Sequence, residues 1–282
     1  MSGASPPSNG RLAMLVAAVL AGVVLGGYLA GRVTTRPGAT APSPIGRSLA
    51  PTLSPATLPP ATQRLAAARP AGPPLPAERG GPFGSRKTTG SHLVALTFDD
   101  GPDPSHTPQT LHLLRKHRVT ATFCLVGVNV RAFPTLVRAI AADGHALCNH
   151  SWHHDLRLGS RPRAAIRADL VRTNDAIRRA VPGARIAYYR QPGGAWSKSV
   201  VAVARELGMT SLHWTVDPQD WRRPSAGSIA GTVNAGTRRG AIVLLHDAGG
   251  DRRGTVAALR SILPNLTRRF RLGALPTTRP PS

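Results

Sequence analysis

The chain is 282 residues long and carries 36 lysines and arginines against 13 aspartates and glutamates, a formal charge of +23 at neutral pH. With 41% hydrophobic residues it can bury a sizeable core, which excludes wholesale disorder, and its two cysteines exclude a disulfide-stapled miniprotein or a multi-cysteine zinc module. Its 29 glycines and 27 prolines are unevenly spread, and that unevenness divides the chain.

Residues 1–11 form a small, polar tail ending in Arg11, assigned to the cytoplasmic side. From Leu12 to Ala30, nineteen residues run without a charge. As a helix rising about 1.5 Å per residue the run spans about 28 Å, close to the hydrocarbon thickness of a bilayer. It reads as a single-pass transmembrane signal-anchor over 12–30. The other reading is a cleaved signal peptide and a secreted protein, for which a cut after Ala30 places bulky Tyr28 where a small residue is needed. Arg11 on one flank and Arg32 with Arg36 on the other leave the positive-inside comparison nearly even. The anchor reading puts the rest of the chain at the cell membrane, outside the cytoplasm. Residues 31–90 follow as a Pro/Ala-rich stretch with twelve prolines between Pro37 and Pro82, one acid, Glu78, and no apolar period. Such a composition buries too little apolar surface to offset the entropy of ordering, so a disordered linker is expected.

At residue 91 the texture changes. Strands are predicted over 92–98, 119–126, 145–149, 185–190, 209–216 and 241–246. Helices are predicted over 108–117, 133–142, 163–181, 199–207 and 255–269, with Gly144 and Gly208 at C-caps and Ile166, Leu170 and Ile177 on one face of the third. This order over 91–276 argues for parallel strands covered by helices, either a barrel or an open doubly wound sheet. Residues 277–282 are expected to be a disordered tail.

Five polar clusters stand at strand ends, where parallel α/β folds keep their active sites. The first is Thr97-Phe98-Asp99-Asp100-Gly101-Pro102. Strand alternation points its two carboxylates in different directions, so one can bind metal while the other handles protons, although paired acids before Gly-Pro are also ordinary turn chemistry. The second holds His150 and His154, whose spacing lets both imidazoles face one point if the segment makes a helical turn; two imidazoles and a carboxylate make a three-ligand site with open positions. His153 is expected to face solvent. The third, Tyr189-Arg190-Gln191-Pro192-Gly193-Gly194, offers an arginine able to hold a buried carboxylate ionised. The fourth, Asp217-Pro218-Gln219-Asp220-Trp221, places acids beside an aromatic wall suited to a sugar face. The fifth, Ile242 to Asp247, delivers His246 to the end of an apolar strand, a suitable place for a general acid that Asp220 can keep protonated.

In this order and at these separations the motifs Thr-Phe-Asp-Asp-Gly-Pro, His-Ser-Trp-His-His, Arg-Gln-Pro-Gly-Gly, Asp-Pro-Gln-Asp-Trp and Leu-Leu-His-Asp resemble those of the polysaccharide deacetylases, the carbohydrate esterases with a NodB homology domain. The resemblance spans roughly residues 92–275 and implies a distorted, incomplete (β/α) barrel. It implies that Asp100, His150 and His154 bind a divalent metal, usually zinc, with cobalt, nickel or manganese as alternatives. It further implies Asp99 as general base paired with Arg190, and His246 as general acid with Asp220 as its charge partner. Trp221 and Leu244 would wall the pocket around the acetyl methyl, and the backbone N–H of Gly193 would complete an oxyanion hole. The implied activity is metal-dependent removal of N-acetyl groups from an N-acetylated cell-wall glycan, peptidoglycan or a chitin-like oligosaccharide. An O-acetyl esterase of the acetylxylan type and a catalytically silent wall-binding module are the alternatives. Three residues depart from the family pattern: Asp155 and Gln191 where proline is common, and Gly193, which is expected to widen the pocket mouth.

Cys124 and Cys148 lie on consecutive predicted strands and fit either a disulfide or two buried thiols. Residues 91–282 hold 27 basic and 12 acidic residues, a net +15, so an acidic partner is expected. Aromatic residues are only 4% and no basic run interleaves with them, which disfavours nucleic acid. The anionic cell envelope is the natural counterpart; arginine usage of a GC-rich genome is the other explanation.

Overall fold

The structure, a computed structural model, describes residues 80–277. The 12–30 signal-anchor, the greater part of the 31–90 linker and residues 278–282 lie outside the described residues. Among the described residues, no helix is long and apolar enough to cross a membrane.

Among the described residues six strands alternate with seven helices: β1 (Ala95–Asp99), α1 (Thr107–Lys116), β2 (Thr122–Leu125), α2 (Gly127–Ala132), α3 (Pro134–Ala142), β3 (Ala146–Asn149), α4 (Arg163–Ala180), β4 (Tyr188–Tyr189), α5 (Lys198–Glu206), β5 (Thr210–Ser211), α6 (Ala226–Gly236), β6 (Ile242–His246) and α7 (Arg253–Arg269). The strands pair in parallel in the order β5-β4-β3-β2-β1-β6. Beyond β5 the chain crosses to the other edge, where Val216 bridges Val243 of β6. The sheet is thereby drawn into a curled half-barrel, and the choice between a barrel and an open sheet falls to the former.

Alternation along each strand sorts the side chains. Leu96, Phe98, Phe123, Leu125, Leu147, Val243 and Leu245 face the helices and join the main core. Ala95, Cys124, Cys148, Tyr188, Leu212 and Ile242 form a second, smaller cluster on the inner face of the curl. On that inner face Cys124 and Cys148, register partners of β2 and β3, form a disulfide. The core is built from residues within 94–275, so this segment carries its own hydrophobic interior.

Four expectations need correction. Residues 80–90, assigned to the disordered linker, belong to the domain: Ser85 and Thr89 are buried, Arg86 bridges Leu212 and Thr88 bridges Ala241. These contacts are made largely by backbone, which composition does not register. The strands predicted over 185–190 and 209–216 shrink to two residues each, because the second run changes partner midway, from β4 to Arg86 and then to β6. Helices α2 and α6 were not expected. α6 contains Gly227, Gly231 and Gly236, poor helix formers, yet Ser225 accepts a hydrogen bond from the Ser228 N–H at its start, and Ile229, Ala230 and Val233 bury its inner face. Finally, His150 and His154 are not on a helical turn but on an irregular loop.

Candidate metal and catalytic centre

The C-terminal ends of the strands open onto a cavity of about 470 Å³ that holds Asp99, Asp100, His150, His154 and His246 in its wall. β1 delivers the two aspartates. Asp99, still in the strand, is buried and points to the inner face; Asp100 follows with left-handed backbone, φ 75°, which turns its side chain toward β3. The side-chain amide of Asn129, on α2, donates to the Asp100 carbonyl and holds that turn at 2.8 Å.

The loop after β3 is fixed by groups that carry no motif of their own. The Asn149 amide donates to the Leu170 carbonyl and to Asn174 on α4, while its side-chain oxygen accepts from the Ser151 N–H. The Asp169 carboxylate accepts from the Trp152 N–H at 2.8 Å. Left-handed residues at Ser151 (φ 64°) and His154 (φ 57°) then fold the loop back, so the imidazoles of His150 and His154 lie 5.0 Å apart by ring centre. His153 faces solvent, as expected.

Asp100 Oδ1 lies 3.4 Å from His150 Nε2 and 3.2 Å from His154 Nε2. Each of the three residues offers a donor atom, all within 4.8 Å of one another. The tautomer of neutral His150 follows from its other nitrogen: Nδ1 lies 2.8 Å from the Arg190 carbonyl, which only accepts, so Nδ1 carries the proton and Nε2, on the Asp100 side, is the atom able to bind a cation. Asp100 Oδ1 is buried without a hydrogen-bond partner, the condition a cation would relieve. Two imidazoles and a carboxylate are the donor set of an open divalent-metal site, and the residues present fit one.

Charges inside the cavity reinforce this arrangement. Burial pushes the Asp100 carboxyl up, but the close approach and charge of His150, with His246 and His154 beyond, hold it at about 2. Burial lowers His150, yet the negative charges of Asp99 and Asp100 raise it above the ordinary imidazole range. His154 is lowered by burial and by the charge of His150.

Two buried pairs flank the trio. On one side the Arg190 guanidinium, fully buried on the loop after β4, donates to Asp99 Oδ1 at 2.7 Å and to Thr97 Oγ1 at 2.8 Å. On the other, Asp220 Oδ1 lies 2.6 Å from His246 Nδ1, and Asp220 Oδ2 accepts from the His246 N–H and the Thr255 hydroxyl. Burial lowers His246, but the hydrogen bond and charge of Asp220, helped by Asp99 and Asp100, lift it to about 9. At neutral pH it is a cation with Nε2–H available to the cavity.

Leu244 is buried in the cavity wall, and Trp221 stands at its mouth with 46% of its surface exposed. Gly193 lines the same space with φ 61°, and a Cβ there would meet Leu156 Cδ2 at 2.7 Å. The expected widening at Gly193 is therefore taken up by Leu156, whose side chain occupies the vacated volume. Sequence reasoning missed Leu156, Trp214 and Arg252, all in the wall, along with Thr255 behind it.

Several known proteins are similar to this chain. A family model described as polysaccharide deacetylase matches residues 86–212. The chain is 40% identical over 202 residues to a chitooligosaccharide deacetylase of Sinorhizobium fredii, covering 68% of this chain and 94% of that one. It is 39% identical over 176 residues to a peptidoglycan-N-acetylglucosamine deacetylase of Bacillus cereus, covering 62% and 81%. Its fold superposes with a TM-score of 0.59, at 31% identity, on a family 4 carbohydrate esterase from Streptomyces lividans solved in complex with acetate, covering 65% and 91%. With the strand-end motifs, the curled barrel and these relatives in agreement, the chain belongs to the polysaccharide deacetylase family.

Proposed function

We propose that the protein is a metal-dependent N-deacetylase of an N-acetylated cell-wall glycan, peptidoglycan or a chitin-like oligosaccharide. The observation that carries the reading is the convergence of the Asp99–Arg190 and His246–Asp220 pairs on either side of Asp100, His150 and His154. Asp100, His150 and His154 would hold a divalent cation, which would supply Lewis acidity to the reaction, and zinc suits two imidazoles and a carboxylate. Asp99, oriented by Arg190, takes the proton of the attacking water. His246, protonated at neutral pH through Asp220, gives its Nε2 proton to the departing nitrogen. The Gly193 N–H is assigned to the oxyanion, and Trp221 with Leu244 to the acetyl methyl and the sugar face.

A poised proton donor matters more for an amide than for an ester, because an amine leaves poorly unless protonated. The cationic His246 therefore favours N-deacetylation over acetylxylan esterase activity. The relatives named for N-acetylated glycans support the same choice.

For location, the reading keeps the 12–30 signal-anchor and puts the domain outside the cytoplasm. The Cys124–Cys148 disulfide supports an oxidising compartment. A surface groove lined by His92, Arg239, Arg268, Arg269 and Arg271 supports an anionic envelope as its surroundings. The reading is tested by acetate release from peptidoglycan fragments, chitooligosaccharide and acetylxylan, with and without chelator. It predicts chelator-sensitive release from the N-acetylated substrates; release from acetylxylan alone would overturn it.

A further inference from the structure

Arg252, the residue preceding α7, is 3% exposed and lines the catalytic cavity, yet among the described residues it has no carboxylate partner. Its position is electrostatically poor: a buried cation beside the positive end of a helix dipole. Its guanidinium is engaged entirely by main-chain carbonyls from two segments. Nε donates to Ala248 O at 2.6 Å and Nη2 to Gly249 O at 2.8 Å, both in the loop that follows His246. Nη1 reaches Asp220 O and Trp221 O, each at 3.4 Å, in the turn that carries the partner of His246 and the wall of the pocket.

That second segment needs holding. The single 3-10 turn Asp220–Arg222 is flanked by two non-glycine residues in left-handed backbone, Gln219 (φ 52°) and Arg223 (φ 59°). Such strain persists only where the surroundings over-determine it. Thr255 and His246 grip the Asp220 carboxylate, but the backbone of the turn is joined to the His246 loop through Arg252. A planar fork with several fixed donors suits this task, which an ammonium performs less well.

We propose that Arg252 is a positioning residue that clamps the Asp220–Trp221 turn to the loop after His246, and so acts on the proton donor through Asp220 and on substrate through Trp221. The inference rests on the deacetylase reading. It predicts two separable effects. Loss of the clamp lowers kcat, because His246 loses its fixed partner, and raises KM, because the Trp221 wall shifts.

The test is a double-mutant cycle on acetate release from an N-acetylated chitooligosaccharide. Arg252→Met is expected to keep its bound divalent metal, since Asp100, His150 and His154 stand in the segments after β1 and β3 and Arg252 makes no hydrogen bond to them, while kcat falls about tenfold or more and KM rises. In an Asp220→Asn background the kcat effect of Arg252→Met largely disappears while the KM effect stays; in Trp221→Ala the KM effect disappears. Multiplicative kcat losses in the first double variant, or wild-type kcat and KM in Arg252→Met, would overturn the assignment. If Arg252→Met lacks a cooperative melt, Arg252→Lys, which keeps the charge and lacks the fork, carries the same cycle. A wild-type protein that released no acetate would instead sink the deacetylase reading.

Discussion

Asp99 and His246 are register partners across the parallel pairing of β1 and β6, so the sheet itself sets the separation of the proposed base and acid. The same register row continues to Cys124 and Cys148, and each side chain of the row faces the inside of the curl. The two proposed protonation tasks are thus mounted on rigid strand ends, while the residues proposed to bind metal come from the looser turns just beyond them.

Arg190 ties these layers together, its guanidinium on Asp99 and its carbonyl on His150. Arg190→Met leaves a buried carboxylate unpaired. We expect a loss of about 3–5 kcal/mol in stability, read from denaturant unfolding, together with a collapse of kcat. A variant as stable and active as wild type would contradict the pairing.

The pH profile should report His246. In the proposed role its acid form is the reactive one, and its pKa is raised to about 9, so kcat/KM should hold through neutral pH and fall as pH rises through that value. Asp220→Asn removes the largest influence that raises His246, and the alkaline limb should move to lower pH. An unmoved limb in that variant would assign it to another group.

Metal uptake should release a proton. Asp99 and Asp100 raise the His150 pKa, so metal uptake competes with protonation of His150, increasingly as pH falls. Calorimetric titration of the chelator-treated protein with zinc in buffers of different ionisation enthalpy measures this. His150→Ala should abolish both binding and release.

Much of the site was legible because strand ends in a parallel fold are read directly from apolar runs that stop at polar residues. Asp99, Asp100, Arg190 and His246 all stand where such runs end. The His150–His154 spacing allowed a helical turn, and it does not distinguish one from the loop folded back by left-handed residues at Ser151 and His154 that the structure has. Asn149, Asp169, Thr255 and Arg252 escaped notice for a related reason. Their partners are backbone groups or distant side chains, and only the assembled fold brings those within reach.

Gly193 and Leu156 should behave as a unit. Gly193→Ala places a Cβ in left-handed backbone and against Leu156, at a cost of about 1–3 kcal/mol, with a lowered kcat from the displaced N–H. Adding Leu156→Ala should recover part of the stability by removing the clash. No recovery in thermal unfolding of the double variant would show that the backbone conformation, not the leucine, sets the requirement.

The central claim is that an acid and a base beside one cation cut an N-acetyl bond. The most direct measurement is acetate release from N-acetylated peptidoglycan fragments by metal-loaded wild type, chelated wild type and metal-loaded Asp99→Asn. The account predicts release by the first alone, with Asp99→Asn retaining its metal and losing about a hundredfold or more in rate. Chelator-resistant release, or an Asp99→Asn variant working at the wild-type rate, would contradict it.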